Sequence, residues 1–243
     1  MNTRKLYATP WLVGTLMLAS AMPADAGIFS VSPVRIFMTP RDRAVAITLT
    51  NEGDTEVALQ ADINAWTQKA DGSDELVLTE DLILAPPIIK LAPKGRQVVR
   101  LALLRPHDAS RQLTYRMIVR EVPEATAPRS GSMEVPIALA LSMPVFITPP
   151  VAKREVSCLA GRGEGQALQA VCLNSGTAYA QIREAIVRRG GATLARFEGG
   201  NYILPGVRKA ITLKSEAAVP PGLAQLDVVF DDGKNQVFDV TLP

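Results

Sequence analysis

The chain is poor in the side chains on which most enzymes depend. It has a single histidine and two cysteines, and aromatic residues are 5% of the total. His107 lies in the turn-like stretch Arg105-Pro106-His107-Asp108 and reads as a solvated loop residue, so no imidazole base is expected. Two thiols and one imidazole are too few for a structural zinc site, and their spacing fits no zinc pattern. Nor do the cysteines form the C-x-x-C pair of a redox centre. There is no G-x-S-x-G elbow, no Gly-rich phosphate loop ending in Lys-Ser or Lys-Thr, and no H-E-x-x-H. Asp231-Asp232-Gly233 lacks the acidic ligands that complete a calcium loop and reads instead as a hairpin turn. Catalysis, metal ions and cofactors are therefore not expected.

Charge and hydropathy exclude two further classes. The net charge is +2, with no concentrated basic patch and no aromatic residues interleaved with Lys and Arg, which argues against nucleic acid as a partner. Beyond the first residues no apolar run approaches the roughly 20 residues of a spanning helix, so membrane insertion is not expected either. The first residues themselves read as an address. Arg4 and Lys5 precede an apolar stretch from Leu12 to Met22, and Ala24-Asp25-Ala26 has the small-x-small form of a cleavage site before Gly27. Residues 1–26 are thus expected to be a secretory signal peptide, which places the mature protein outside the cytoplasm.

In an exported chain, an even cysteine count predicts a disulfide, here Cys158 to Cys172. The spacing is too short for the inter-sheet bridge of an antibody domain and suits a clamp across neighbouring strands. Short runs rich in Val, Ile, Leu and Thr recur along the chain, for example Ala44 to Thr50, Gln97 to Leu104, Tyr115 to Val122, Gln169 to Leu173 and Leu226 to Phe230. Turn chemistry separates them at Asn51-Glu52-Gly53-Asp54, Asp71-Gly72, Gly199-Gly200-Asn201 and Asp232-Gly233. An all-β protein is expected, with Gln181 to Arg189 open to either helix or strand. Thr148-Pro149-Pro150 is the best linker candidate, because consecutive prolines supply no ladder donors. Two β-sandwich domains follow, over residues 27–147 and 154–243 with a linker at 148–153, the first having enough strands for a seven-stranded sandwich.

The stretch from Val135 to Val145 is the most informative. Val135, Ile137, Leu139, Leu141, Met143 and Val145 are sizeable and apolar, and Pro136, Ala138, Ala140, Ser142 and Pro144 between them are small or ring-closed. In a strand this makes one bulky face and one flat face. That pattern alone also suits an ordinary core strand. Pro136 and Pro144, however, share a parity, so both missing N–H groups fall along one edge, which cannot be paired continuously. An apolar edge strand is an aggregation hazard unless it is covered or exists to pair with a partner. A partner lacking a strand would be completed by it. Each side chain buried in that way contributes roughly 1.5 to 3 kcal/mol, and four give about 6 to 12 kcal/mol before the cost of association.

Five further stretches carry a resemblance: Val31-Ser32-Pro33-Val34-Arg35, APPIIKLAPKGRQVVRL from Ala85, YRMIVREVP from Tyr115, NSGTAYA from Asn174 and YILPGVRK from Tyr202. With the alternating strand they resemble the periplasmic pilus-assembly chaperones, often called PapD-like, over nearly all of the mature chain. The resemblance implies two immunoglobulin-like domains and donor-strand complementation, in which the chaperone lends a strand to an incomplete pilus subunit and then surrenders it to an outer-membrane usher. Donor residues would be Val135, Ile137, Leu139, Leu141 and Met143. It further implies that an arginine and a lysine in the cleft between the domains hold the subunit's C-terminal carboxylate. Arg35 matches the arginine, whose fork suits a carboxylate. Pro144 stands where the lysine should be, a departure similar to the archaic or alternative fimbrial branch, and Arg116, Arg120 and Lys153 are candidate replacements. Self-association of the free chaperone would also hide the open edge. Rival readings are a structural fimbrial subunit or adhesin, and a periplasmic enzyme or sugar-binding protein on a sandwich fold.

Overall fold

A computed structural model describes residues 29–104, 110–123 and 138–243. Apart from one short 3-10 turn at Glu164–Gln166, its regular elements are all strands. The first ten are β1 (Phe29–Ser32), β2 (Ile36–Met38), β3 (Ala44–Asn51), β4 (Val57–Gln68), β5 (Asp74–Leu78), β6 (Leu82–Ala85), β7 (Ile88–Leu91), β8 (Arg96–Leu103), β9 (Leu113–Glu121) and β10 (Ala140–Ile147). They form two facing sheets in the orders β1-β3-β8-β6 and β2-β10-β9-β4-β5, with β7 also on β4. Alternate residues point inward, and Ile47, Leu49, Leu59, Val99, Leu101, Met117, Val119 and Val145 are fully buried between the sheets.

Ten strands stand where seven suffice for a sandwich, because prolines cut two of the runs and β5 adds a further edge strand on β4. β1 lies in one sheet and β2 in the other, with Pro33 between them, and β6 and β7 are divided in the same way at Pro86-Pro87. A residue without an N–H cannot continue a ladder, so the chain changes sheets there.

The second sandwich has seven strands: β11 (Val156–Arg162), β12 (Leu168–Asn174), β13 (Ala180–Arg189), β14 (Ala192–Ile203), β15 (Arg208–Thr212), β16 (Gly222–Phe230) and β17 (Asn235–Leu242). Their orders are β11-β12-β15 and β14-β13-β16-β17. The segment left open between helix and strand is the central strand β13, paired on both sides and buried at Ile182, Ala185 and Val187. Cys158 and Cys172 are directly opposite on β11 and β12 and are disulfide-bonded, so the clamp across neighbouring strands is present.

One expected turn is not a turn. Gly199 and Gly200 lie inside β14, and the chain reverses instead at Gly190 and Gly191, whose φ angles of 55° and 84° suit glycine. The in-strand glycines make room for neighbours. A Cβ on Gly199 would stand 2.7 Å from the Phe197 ring, and one on Gly200 would meet the Gln181 amide at 2.9 Å.

The two sandwiches repeat one corner. At the end of β3, buried Asn51 donates through Nδ2 to the carbonyls of Thr55, Leu91 and Ala92 and accepts from the Gly53 N–H. At the end of β12, buried Asn174 donates to the carbonyls of Ala178 and Ile203 and accepts from the Gly176 N–H. Each asparagine satisfies loop groups that would otherwise be buried unpaired.

Candidate functional site

β10 pairs antiparallel with β9 over its whole length, from Ala140 opposite Arg120 to Ile147 opposite Leu113. On its other side it pairs with β2 only from Val145 to Ile147. Among the described residues one edge is therefore open from Ala140 to Pro144. The Glu121 N–H donates to the Leu139 carbonyl at 2.9 Å, which sets the phase of the ladder. Odd-numbered backbone groups face β9 and even-numbered ones face away. The Thr148 N–H, donating to the Met38 carbonyl at 2.8 Å, lies on that even side. Pro144 thus withholds its N–H from the open edge, at the point where β2 stops.

The bulky face of β10 changes role along its length. Val145 and Ile147 are buried in the sandwich core and Met143 is 4% exposed, whereas Leu141 and Leu139 are half-buried against the rim of the core. Val135 and Ile137 lie outside the described residues, as does His107. On the other face Ala140 and Ser142 are exposed, but Pro144 and Phe146 are buried where the two sandwiches meet.

That meeting place gathers scarce aromatic residues. Phe146 stacks on Tyr179 at 4.1 Å between centroids and on Phe37 at 5.6 Å, and Trp66 meets Tyr202 edge-on at 5.2 Å. Offset and edge-on contacts of this kind each add about 0.5 to 1.5 kcal/mol beyond area burial. Two glutamines of the first sandwich satisfy backbone groups of the second. Gln68 accepts from the Leu204 N–H at 2.9 Å and donates to the Tyr202 carbonyl at 3.0 Å. Gln112 accepts from the Tyr179 N–H at 2.8 Å and donates to Thr148 Oγ1 at 2.6 Å.

Two arginines border this cluster. Arg35, between β1 and β2, donates through Nη1 to Asp231 Oδ2 at 2.7 Å. The same oxygen accepts from the Tyr179 hydroxyl at 2.8 Å. Burial, the bond to Asp231 and its charge push the Tyr179 phenol above its ordinary range. Arg116 on β9 is directly opposite Pro144, and cross-strand partners share a face. Its guanidinium lies 3.8 Å from the Trp66 ring centroid and 5.5 Å from that of Tyr202, with no carboxylate partner among the described residues. Burial holds its pKa below the usual arginine value, against the opposing pull of Asp74 and Tyr202.

Of the other candidate cations, Arg120 is opposite Ala140 and pairs with Asp62 at 3.2 Å, while Lys153 is exposed on the segment leading into β11. Sequence reasoning missed Asp231, Tyr179, Trp66 and Tyr202. Asp231 was legible only as a turn residue, and the NSGTAYA and YILPGVRK stretches held the two tyrosines without indicating that they meet. Among the described residues no group of three or more His, Cys, Asp or Glu side chains could hold a metal ion, and no helix is long and apolar enough to cross a membrane.

Comparison with known proteins bears on this arrangement. A probable fimbrial chaperone, LpfB of Escherichia coli O157:H7, is 24% identical over 153 residues, which is 63% of each chain. The match therefore spans less than two thirds of that relative's length. Among solved structures, the fold resembles a chain of the chaperone and tip adhesion subunit pre-assembly complex of CsuC and CsuE from the archaic chaperone-usher Csu pili of Acinetobacter baumannii. The TM-score is 0.66 at 17% identity, covering 89% of this chain and all of that one. The E. coli chaperone DraB matches with a TM-score of 0.57 at 17% identity, over 88% of this chain and 96% of its own. Residues 28–153 match the family described as pili and flagellar-assembly chaperone, PapD N-terminal domain. That segment contains β1 to β10, with the open edge and both cleft arginines, and the chain belongs to this family of pilus-assembly chaperones.

Proposed function

We propose that this protein is a non-enzymatic periplasmic chaperone that holds pilus subunits by lending them β10 as a missing strand and delivers them to an outer-membrane usher. Residues 1–26 act as its cleaved signal peptide, and residues 27–147 and 154–243 as its two domains around a linker at 148–153. The observation that carries the reading is the open edge from Ala140 to Pro144, with apolar side chains leaving the chaperone's own core as the strand runs back toward Leu139. A subunit strand added along that edge would satisfy the free backbone groups of Ala140 and Ser142. Val135, Ile137, Leu139 and Leu141 would fill the subunit's groove, while Met143, already in the chaperone core, keeps the strand in place.

The open edge runs toward the cleft, where Arg35 supplies a carboxylate anchor. Arg116 takes the part of the absent lysine, because it shares a face with Pro144 and has a cation without a carboxylate partner among the described residues. An end-of-chain carboxylate would find two guanidinium groups there. Co-expression with a pilin encoded beside the chaperone gene tests the reading. Arg35→Ala and Arg116→Ala should each remain folded and recover less subunit, and the double variant should recover almost none. Undiminished recovery by the double variant would remove the anchor, and a wild-type chaperone that purifies without subunit would remove the whole reading.

A further inference from the structure

The two adjacent aspartates of the β16–β17 turn have different partners. Asp232 accepts from Arg154 Nη2 through both oxygens, at 3.3 and 3.2 Å, so its charge is met within the second sandwich and the segment leading into it. Asp231 instead reaches across to Arg35 of the first sandwich. Its backbone is pinned, with the Asp231 N–H donating to the Gln181 carbonyl at 3.1 Å and the turn closed by Phe230 N–H to the Lys234 carbonyl at 2.9 Å. Its side chain is 10% exposed and is steadied by the Tyr179 hydroxyl, whose ring is itself stacked on Phe146.

The contact is one-pronged on both sides. Asp231 offers Oδ2 alone, and Arg35 gives Nη1 alone. The Nε and Nη2 groups of Arg35 have no partner among the described residues, and the side chain is 30% exposed. A carboxylate bound side-on by an arginine uses that Nε and Nη2 edge. An occupant competing for the anchor would take both prongs; Asp231 takes the one that side-on binding leaves spare.

We infer that Asp231, held by Tyr179, is a positioning residue for carboxylate binding by Arg35, fixing the guanidinium across the junction so that its free edge faces the subunit's C-terminus. This rests on the anchoring role proposed above for Arg35. It makes the anchor a property of both sandwiches, since Arg35 belongs to one and its support to the other. A long side chain held in advance loses less freedom on binding, so the support strengthens the anchor without touching the subunit.

The test uses the full mature chain and a synthetic peptide of the C-terminal strand of a cognate pilin, made as the free acid and as the amide. The readout is the ratio of the two affinities by titration calorimetry, which reports carboxylate recognition and is insensitive to a general loss of folded protein. Wild-type protein should prefer the acid; equal affinities would overturn the anchoring role of Arg35 itself. If the preference is present, Asp231→Asn should reduce it by about tenfold. Tyr179→Phe keeps the stacked ring, removes only the hydroxyl, and should reduce it by about threefold, which serves even if the Asp231 variant folds poorly. A preference unchanged in both variants would overturn the positioning role while leaving the anchor standing. A preference that rises would overturn it too, since Asp231 would then be a competitor.

Discussion

The two sandwiches share a layered plan and the same asparagine corner, yet they treat their edges in opposite ways. In the second, the edge strand β11 is tied to β12 by the Cys158–Cys172 disulfide. In the first, β10 is unpaired among the described residues along one side from Ala140 to Pro144, and Pro144 has no N–H to offer there. An open edge is a liability that a fold normally blunts. Keeping one beside a stapled neighbour is what the proposed donor strand requires: the first sandwich offers an edge to a partner, and the second keeps its edge strand fixed.

The contrast can be broken most severely at Val145. It is fully buried between the sheets at the closed end of β10, so Val145→Asp should cost roughly 4 kcal/mol or more and leave little folded protein in the periplasm. Leu139 shares that face but sits at the open end, half-buried. Leu139→Asp should melt close to wild type and lose its subunit, because the carboxylate would enter an apolar groove only in the complex. If melting temperature falls as far for Leu139→Asp as for Val145→Asp, both ends of β10 serve the core and the division of the strand fails. A smaller effect is expected in the second sandwich. Opening the disulfide releases a loop whose closure is worth about 3 kcal/mol in the chain-entropy model. Mild reduction should therefore lower the melting of the second sandwich and leave that of the first, followed by hydrogen exchange of core amides such as Leu49 and Val119, largely unchanged.

Much of the donor edge was legible in the sequence because alternation and proline are local signals. The parity of Pro136 and Pro144 predicts an edge, and the described part of β10 has one on that side. The cysteine spacing likewise pointed to neighbouring strands. What was not legible depends on contacts between distant segments. Phe37, Trp66, Phe146, Tyr179 and Tyr202 meet at the junction although nothing local links them. Asp231 looks the same in sequence whether it only closes a turn or also reaches Arg35. The change of face along β10 was hidden for the same reason, since the apolar period is continuous from Leu139 to Val145 while the core it packs against ends. Gly199 and Gly200 misled because glycine marks close approach as often as reversal, and only the position of the Phe197 ring distinguishes the two.

Residue-resolved amide hydrogen exchange on the chaperone, alone and bound to a subunit, tests the open edge most directly. The Ala140 and Ser142 amides point away from β9, and those of Leu141 and Met143 point toward it. In the free monomer Ala140 and Ser142 should exchange quickly and Leu141 and Met143 slowly, and subunit binding should protect the first pair. Ala140 and Ser142 amides already protected in the free monomer, or still exchanging quickly in the complex, would contradict the assignment of β10 as the donated strand.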